Sequence, residues 1–409
     1  MTTVAENMGN LKLIWGVPGS GKTEAMKWDM IEGLRQGISS IVFDYEYGAP
    51  FADNFSKELP EEVVEVIDFN CIEQVTGMLT LVHSINEVTK WTEIVSQTPD
   101  NKRERVLFER FKDLKELTVN YMSVISSLLP ESFNQSTYEA WKELDLVLKV
   151  VFNNPEKTWV DLYQFLTNEN NKREQLLDEF LNATEGFLFV KDEALELKEK
   201  QGVLCPELAK MLKEIFSNKK MEKMCQGKPA KEVISQFETP KILIFKIPKV
   251  KFTLEQRAFI TSILMHQFIY ERKIALVEGG PCRIYIDEIT VSLPFTMKGI
   301  LSALVKMSSI LKNQVVVAGH GIEILQAYFD DVKGCRPHYL YCGDSSYGVL
   351  DYFKAIGVGE EFFNYVHHAN RFSKFSLKHG DQGYESEWIT DSVVFNKDAL
   401  IKKLLKLSA

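Results

Sequence analysis

Residues Gly16-Val17-Pro18-Gly19-Ser20-Gly21-Lys22-Thr23 form a G-x-x-x-x-G-K-[ST] run, and their types and spacing suit a chain of phosphates. The glycines let successive backbone N–H groups turn inward around anionic oxygens. A helix opening at Lys22 would add the positive end of its dipole. Lys22 is expected to reach the β- and γ-phosphates, and the Thr23 hydroxyl to bind Mg²⁺. The expected nucleotide-contacting set is Gly16, Pro18, Gly19, Ser20, Gly21, Lys22, Thr23 and Glu24. A tight turn without a ligand is the plain alternative, but the run follows a strand pattern and precedes a helical one, as a phosphate loop requires.

Arg283-Ile284-Tyr285-Ile286-Asp287-Glu288 is an apolar run ending in two carboxylates. At the C-terminal end of a buried strand, Asp287 would hold Mg²⁺ through water, and Glu288 would orient or deprotonate an attacking water. The second carboxylate suits hydrolysis better than phosphoryl transfer to another substrate. Val315-Val316-Val317-Ala318 ends in Gly319-His320-Gly321. In ring NTPases a polar residue at the end of such a strand senses the γ-phosphate, and His320 could do so by donating a hydrogen bond. The plain alternative is a histidine in a glycine-flanked turn.

Other features carry less. Lys246, Lys249 and Lys251 follow a core strand and could track a phosphate backbone, or simply form a solvated loop. Asp44 and Glu46 end another strand near the expected nucleotide crevice. The pair His367-His368 reads as surface or packing. Ile401-Lys402-Lys403-Leu404-Leu405-Lys406-Leu407 reads as a basic amphipathic helix, docked or touching a membrane or partner. Cys71, Cys205, Cys225, Cys282, Cys335 and Cys342 never form C-x-x-C, and no H-x-x-x-H spacing occurs. Protein-ligated metal catalysis is therefore not expected, and the thiols are expected to be reduced.

The elements that must position these residues are strands and helices in alternation. Leu11–Trp15, Ser40–Phe43 and Val63–Ile67 read as buried strands, with a helix between the first two. From about Ile72 to about Phe237 the texture becomes helical, with amphipathic stretches at Asn101–Leu129, Tyr138–Phe152 and Asn171–Leu181. Strands resume at Lys241–Phe245, Ile284–Ile286, Val315–Val317 and, as the last one, His338–Cys342. Thr253-Leu254-Glu255-Gln256 is a T-x-x-Q capping box opening a helix to about Tyr270. This predicts an α/β fold, a mostly parallel sheet flanked by helices as in RecA-like P-loop NTPases, with a large all-helical insertion. The expected division is 1–90 for the first half of the core, 91–235 for the insertion and 236–409 for the second half with C-terminal helices.

The 409 residues are 45% hydrophobic and 26% charged, which excludes wholesale disorder and fibrous classes. No run approaches a membrane span, and the first ten residues lack a secretory pattern. A cytoplasmic location follows as an expectation, with peripheral contact at the inner face of the membrane allowed. The net charge of −9 disfavours general polyanion binding, so DNA contact would need a local basic surface such as the lysine loop.

In order and spacing these pieces resemble the HerA–FtsK superfamily of ring motor ATPases, most of all the motor part of the TraC/VirB-type ATPases of conjugative type IV secretion. The stretches GVPGSGKT, IVFDYEY with VVEVID, IYIDEIT with VVVAGHG, and HYLYCGDSSYGVLDYFKAIGV carry the likeness, over roughly 1–90 and 236–370. The resemblance implies a helical insertion between the second and third core strands, ATP and Mg²⁺ as cofactors, and a homo-hexamer working with secretion-channel or assembly-complex proteins. It also brings three departures. The family usually has Gln where His320 stands. It carries an arginine that acts on the neighbouring subunit's γ-phosphate where this chain has Lys306 and Ser309, so Lys306 or another residue such as Arg336 would serve. Lastly, the chain starts fifteen residues before the phosphate loop, without the family's N-terminal docking domain, which suggests a separate or truncated motor module.

Together these readings predict a Mg²⁺-dependent ATP hydrolase that powers conjugative secretion or pilus assembly, with Lys22, Glu288, His320 and Lys306 catalytic and Thr23 and Asp287 on the metal. One alternative is an ATPase that translocates or packages DNA. A second is a nucleotide-switched assembly or regulatory factor with slow turnover. The Zot-like phage assembly proteins share the opening of the phosphate loop, but normally carry a membrane span that is not seen here.

Overall fold

The structure is a computed structural model describing residues 11–45, 50–79, 81, 98–129, 138–153, 157–183, 188–227, 239–274, 280–289, 301, 304–306, 312–320, 337–342, 347–367, 374–380 and 383–389. Its strands are β1 (Leu11–Gly16), β2 (Ser39–Asp44), β3 (Val64–Asp68), β4 (Ile242–Lys246), β5 (Cys282–Ile286), β6 (Asn313–Gly319), β7 (His338–Cys342), β8 (Lys374–Gly380) and β9 (Gly383–Ile389). They make one nine-stranded sheet in the order β3-β4-β2-β5-β6-β1-β7-β8-β9. From β3 through β7 every neighbour is parallel; β8 and β9 continue the sheet antiparallel. The strands β1, β2 and β6 are buried at every position. Burial at every position belongs to parallel strands covered on both faces.

His338–Cys342 is therefore not the last strand. In β8 and β9, KFSLKHG and GYESEWI mix polar and apolar residues, the pattern of a partly solvated antiparallel edge and not of a buried run. Their anchoring comes from aromatic packing. Phe375 on β8 stacks near Tyr341 of β7, and Phe362 packs edge-on against Phe375, Tyr341 and Phe353.

The helix α1 (Lys22–Arg35) leaves the glycine-rich loop and buries Ala25, Met26, Met30, Ile31 and Leu34. These pack with Ile14, Val42, Ile244, Tyr285, Val316 and Ala318 of the sheet in one hydrophobic core. At the helix Leu254–Ile274 the capping box forms reciprocally: Thr253 N donates to Gln256 Oε1, and Gln256 N to Thr253 Oγ1.

The chain divides into two compact units, one from residues 1–71, 233–261 and 268–409, the other from 72–232 and 262–267, each taken over its described residues. The first holds the sheet. The second is helical, with helices Asp100–Leu128, Tyr138–Phe152, Trp159–Thr167, Lys172–Ala183, Leu188–Glu199, Pro206–Phe216 and Lys219–Met224. It follows the third core strand, not the second, because Val64–Asp68 pairs into the sheet before the helices begin. Its core gathers Tyr121, Phe152 and Trp159, all fully buried. Arg173, 3% exposed, donates to the carbonyls of Phe165, Leu166, Lys200 and Gly202 and so joins three separate segments.

Candidate nucleotide site

The site is built at the C-terminal ends of three adjacent strands, β5, β6 and β1. Gly16 closes β1 and pairs with Cys342 of β7. A Cβ there would lie 1.8 Å from the Cys342 carbonyl oxygen, so only glycine lets the two strands meet. Gly19 (φ 70) and Gly21 (φ 84) take the left-handed conformation that turns the loop back into α1, with Gly21 at its N-cap. Ser20 N donates to Val17 O at 3.2 Å, and Ala25 N to Gly21 O at 3.0 Å. The Ser20 hydroxyl is buried with no partner among the described residues. Pro18 and Glu24 are exposed, and Glu24 pairs with Lys27 at 3.0 Å.

Lys22 folds back over its own loop. Its Nζ donates to Gly16 O (3.1 Å) and Val17 O (3.2 Å) and lies 3.0 Å from His320 Nδ1. Burial pulls the Lys22 pKa below the ordinary lysine range, although the charges of Glu288, Asp287 and Cys342 oppose that shift. The Thr23 hydroxyl donates to Asp287 Oδ2 at 3.5 Å, so the two side chains expected on one metal ion face each other. Asp287 Oδ1 accepts the Glu288 N–H at 2.9 Å. Glu288 is held at φ 49, a left-handed backbone that a glutamate adopts only when its surroundings impose it.

His320 stands at the middle of the group. Its Nε2 lies 2.9 Å from Glu288 Oε1 and its Nδ1 2.7 Å from Gly16 O. A carboxylate and a carbonyl only accept and an ammonium only donates; hence a proton on Nε2 serves Glu288, one on Nδ1 serves Gly16, and a lone pair on Nδ1 serves Lys22. The strand order produces this contact. β6 lies between β1 and β5, with Trp15 opposite Gly319 and Ile286 opposite Val317, so the residue after β6 must emerge between the lysine of the loop and the carboxylates after β5. Gly319 itself is tight, since a Cβ would meet the Trp15 ring at 2.8 Å.

The donor set fits a nucleotide carrying a divalent cation. The loop offers a buried hydroxyl with no partner among the described residues, Lys22 a cation, and Thr23 with Asp287 hard oxygen ligands of the kind Mg²⁺ takes. Among the described residues no group of three or more His, Cys, Asp or Glu could hold a metal ion.

Several expected residues stand elsewhere. Lys306 is exposed and joins none of these contacts among those described above. Ser309, Arg336, Glu46, His368 and 401–407 lie outside the described residues. Asp44 turns inward and accepts the Ala52 N–H at 3.0 Å, within the helix Pro50–Glu58. Lys246 sits between Asp53 (2.8 Å) and Asp68 (3.3 Å). Burial works against its charge, but those two carboxylates outweigh it and hold the ammonium above the usual lysine range. Lys249 and Lys251 are exposed.

Sequence reasoning missed a second, buried cluster behind the site. The Asp29 carboxylate on α1 meets Lys12 Nζ of β1 at 2.5 Å and accepts the Tyr285 hydroxyl of β5 at 2.7 Å. Arg283 Nη1 donates to Asp29 O at 3.0 Å and lies 3.4 Å from Oδ2. Burial alone would raise the Asp29 pKa, but Lys12 and Arg283 bring it down to about 2. The one signal in the sequence was a lysine and an arginine inside otherwise apolar strands.

This strand order, with a phosphate loop at β1 and paired carboxylates after β5, is that of a RecA-like P-loop NTPase. No family model and no curated protein matches the chain. Among solved structures it is similar to the bacterial conjugative coupling protein TrwB lacking its N-terminal segment, with TM-score 0.55 and 10% identity over 94% of this chain and 85% of that one. TrwB in complex with a non-hydrolysable GTP analogue gives 0.56 and 11% over 94% and 86%. VirB4 of Thermoanaerobacter pseudethanolicus gives 0.51 and 12% over 93% and 88%. At such identities the likeness establishes the fold. Among the described residues no helix is long and apolar enough to cross a membrane.

Proposed function

We propose that this chain is a Mg²⁺-dependent ATP hydrolase of the HerA–FtsK kind, a motor that powers conjugative type IV secretion or pilus assembly and acts as a homo-hexamer. The observation that carries the reading is the meeting of Lys22, His320 and Glu288 beside Thr23 and Asp287, from three strands far apart in the chain. The similarity to TrwB, also solved with a non-hydrolysable ATP analogue, and to VirB4 supports the choice of motor.

In this reading the loop residues Gly16, Pro18, Gly19, Ser20, Gly21 and Glu24 enclose the phosphates. Lys22 exchanges its contacts with Gly16, Val17 and His320 for phosphate oxygens. Thr23 and Asp287 hold Mg²⁺, which neutralises developing charge on the phosphates when bound. Glu288 orients and deprotonates the attacking water, positioned by its contact with His320 Nε2. His320 couples the γ-phosphate to the carboxylate, being within reach of both Lys22 and Glu288. Lys306, exposed, is the candidate cation acting on a neighbouring subunit's phosphate. The helical region 91–235 is a domain inserted in the core and the place for partner contacts. Exposed Lys249 and Lys251 are the candidate DNA contacts; Lys246, held by two carboxylates, contributes less.

ATP turnover of the purified chain, with and without single- and double-stranded DNA and with Lys22→Ala as blank, tests the reading. Lys22-dependent turnover indifferent to DNA supports secretion or assembly work driven through a protein partner. DNA-stimulated turnover that is lost in Lys249→Glu with Lys251→Glu would make it a DNA-handling motor. Tight ATP binding without turnover, by a chain that stays monomeric, would refute the motor and leave a nucleotide switch.

A further inference from the structure

The Asp29 cluster joins the same two elements that carry the metal ligands. On α1, Asp29 lies six residues after Thr23, about 9 Å along the helix axis. On β5, Tyr285 and Arg283 come two and four residues before Asp287, about 7 and 13 Å back along the strand. Helix and strand are therefore attached at two places: one at Thr23 and Asp287, and one at Asp29 with Tyr285 and Arg283. Lys12 adds β1, the strand that feeds the loop. It stands opposite Val316, which in turn stands opposite Tyr285, so the Asp29 carboxylate spans β6 to reach both neighbouring strands.

The cluster is buried, with Asp29 4% exposed, Lys12 7% and Tyr285 fully covered. Buried ion pairs stabilise a fold little better than apolar residues of the same shape, because desolvation offsets their attraction. What they add is a single geometry. A purely apolar helix face can shift by a fraction of a turn over a sheet. A carboxylate shared among an ammonium, a guanidinium and a phenol cannot shift without leaving two cations unpaired.

We propose that Asp29 is a positioning residue, which through Tyr285 and Arg283 fixes α1 on β5 and thereby sets the spacing of Thr23 and Asp287 for a Mg²⁺-bound nucleotide. The inference rests on the ATPase reading above.

The test uses the full chain, as wild type, Tyr285→Phe and Asp29→Asn, and measures ADP affinity by calorimetry with Mg²⁺ and with EDTA. Tyr285→Phe removes one hydroxyl and keeps all three charges, so it reports even if Asp29→Asn does not fold. The gain in affinity that Mg²⁺ confers is expected to shrink about threefold in Tyr285→Phe and about tenfold in Asp29→Asn, the scale of one lost hydrogen bond and of one lost buried charge contact. Affinity in EDTA, set by the loop and Lys22, should stay within about twofold, while KM for ATP at saturating Mg²⁺ rises in step with the lost Mg²⁺ gain. An unchanged Mg²⁺ gain in the folded variants overturns the inference alone. Equal losses with and without Mg²⁺ also overturn it, since they indicate a merely structural role. A wild-type chain that neither binds ADP nor turns over ATP overturns the ATPase reading, and the inference with it.

Discussion

Stability of the sheet unit should fall with acid along a slope set by His338. This residue opens β7 opposite Lys12, and its Nε2 lies 2.9 Å from Ser376 Oγ on β8. Burial first, then the charges of Lys12 and Lys378, push its pKa from 6.5 down to about 3. The sign follows directly. Above 6.5 the histidine is neutral in both folded and unfolded chains and contributes nothing. Between 6.5 and about 3 the unfolded chain takes up a proton that the folded chain refuses, so acid favours unfolding by up to about 1.4 kcal/mol per pH unit. At about pH 5, roughly 1.5 units below 6.5, the loss attributable to His338 is about 2 kcal/mol. The perturbation is His338→Gln, which can still bond Ser376 but does not titrate. Urea unfolding at about pH 7.5 and about pH 5, followed by tryptophan fluorescence, compares the two proteins, and groups that titrate in both cancel in the difference. The variant should lose about 2 kcal/mol less than wild type over that interval. Equal losses, within about 0.5 kcal/mol, would refute the argument and show that protonated His338 is accommodated beside Lys12.

Two further outcomes follow from contacts already described. His320→Ala should lower ATP turnover on the order of tenfold or more while KM stays within about twofold, because the histidine contacts Glu288, the carboxylate proposed to handle water, and Lys22 retains its loop carbonyls; steady-state kinetics decide this, and proportional loss of both would remove the coupling role. Arg173→Met should destabilise the helical unit by about 3–5 kcal/mol in urea melts, and Arg173→Lys should recover little, since one ammonium cannot replace a guanidinium bonded to four carbonyls. A loss under about 1 kcal/mol would mean that water satisfies those carbonyls.

The phosphate loop was legible because its demands are local. Gly19 and Gly21 each answer a backbone angle within the loop itself, whereas the demand at Gly16 comes from the Cys342 carbonyl on β7. The buried strands showed for a related reason: a strand covered on both faces is mostly apolar, and the polar residues it does carry need buried partners, as Lys12 and Arg283 do. The capping box at Thr253 and Gln256 needs only four consecutive residues, and it formed as read. By contrast β8 and β9 left little trace, since an antiparallel edge tolerates polar residues and takes its place from aromatic partners outside it.

Taken by itself, the amino-acid sequence determined the residue types of the site, the glycine-rich loop, and the alternation that makes a parallel sheet. Strand order belonged to the tertiary structure. Periodicity reports which side of a strand is covered but not which strand lies beside it, and the position of β6 between β1 and β5 is what brings His320 against both Lys22 and Glu288. The same blindness hid the charge pairings. Lys246 read as part of a lysine loop that could track a phosphate backbone, but Asp53 and Asp68 stand beside it, and Lys12 and Arg283 gave no sign of their partner until Asp29 met them from α1. A charge in a sequence has no partner until the chain folds, and in a low-dielectric interior the partner decides whether that charge binds a ligand or fixes the scaffold that does.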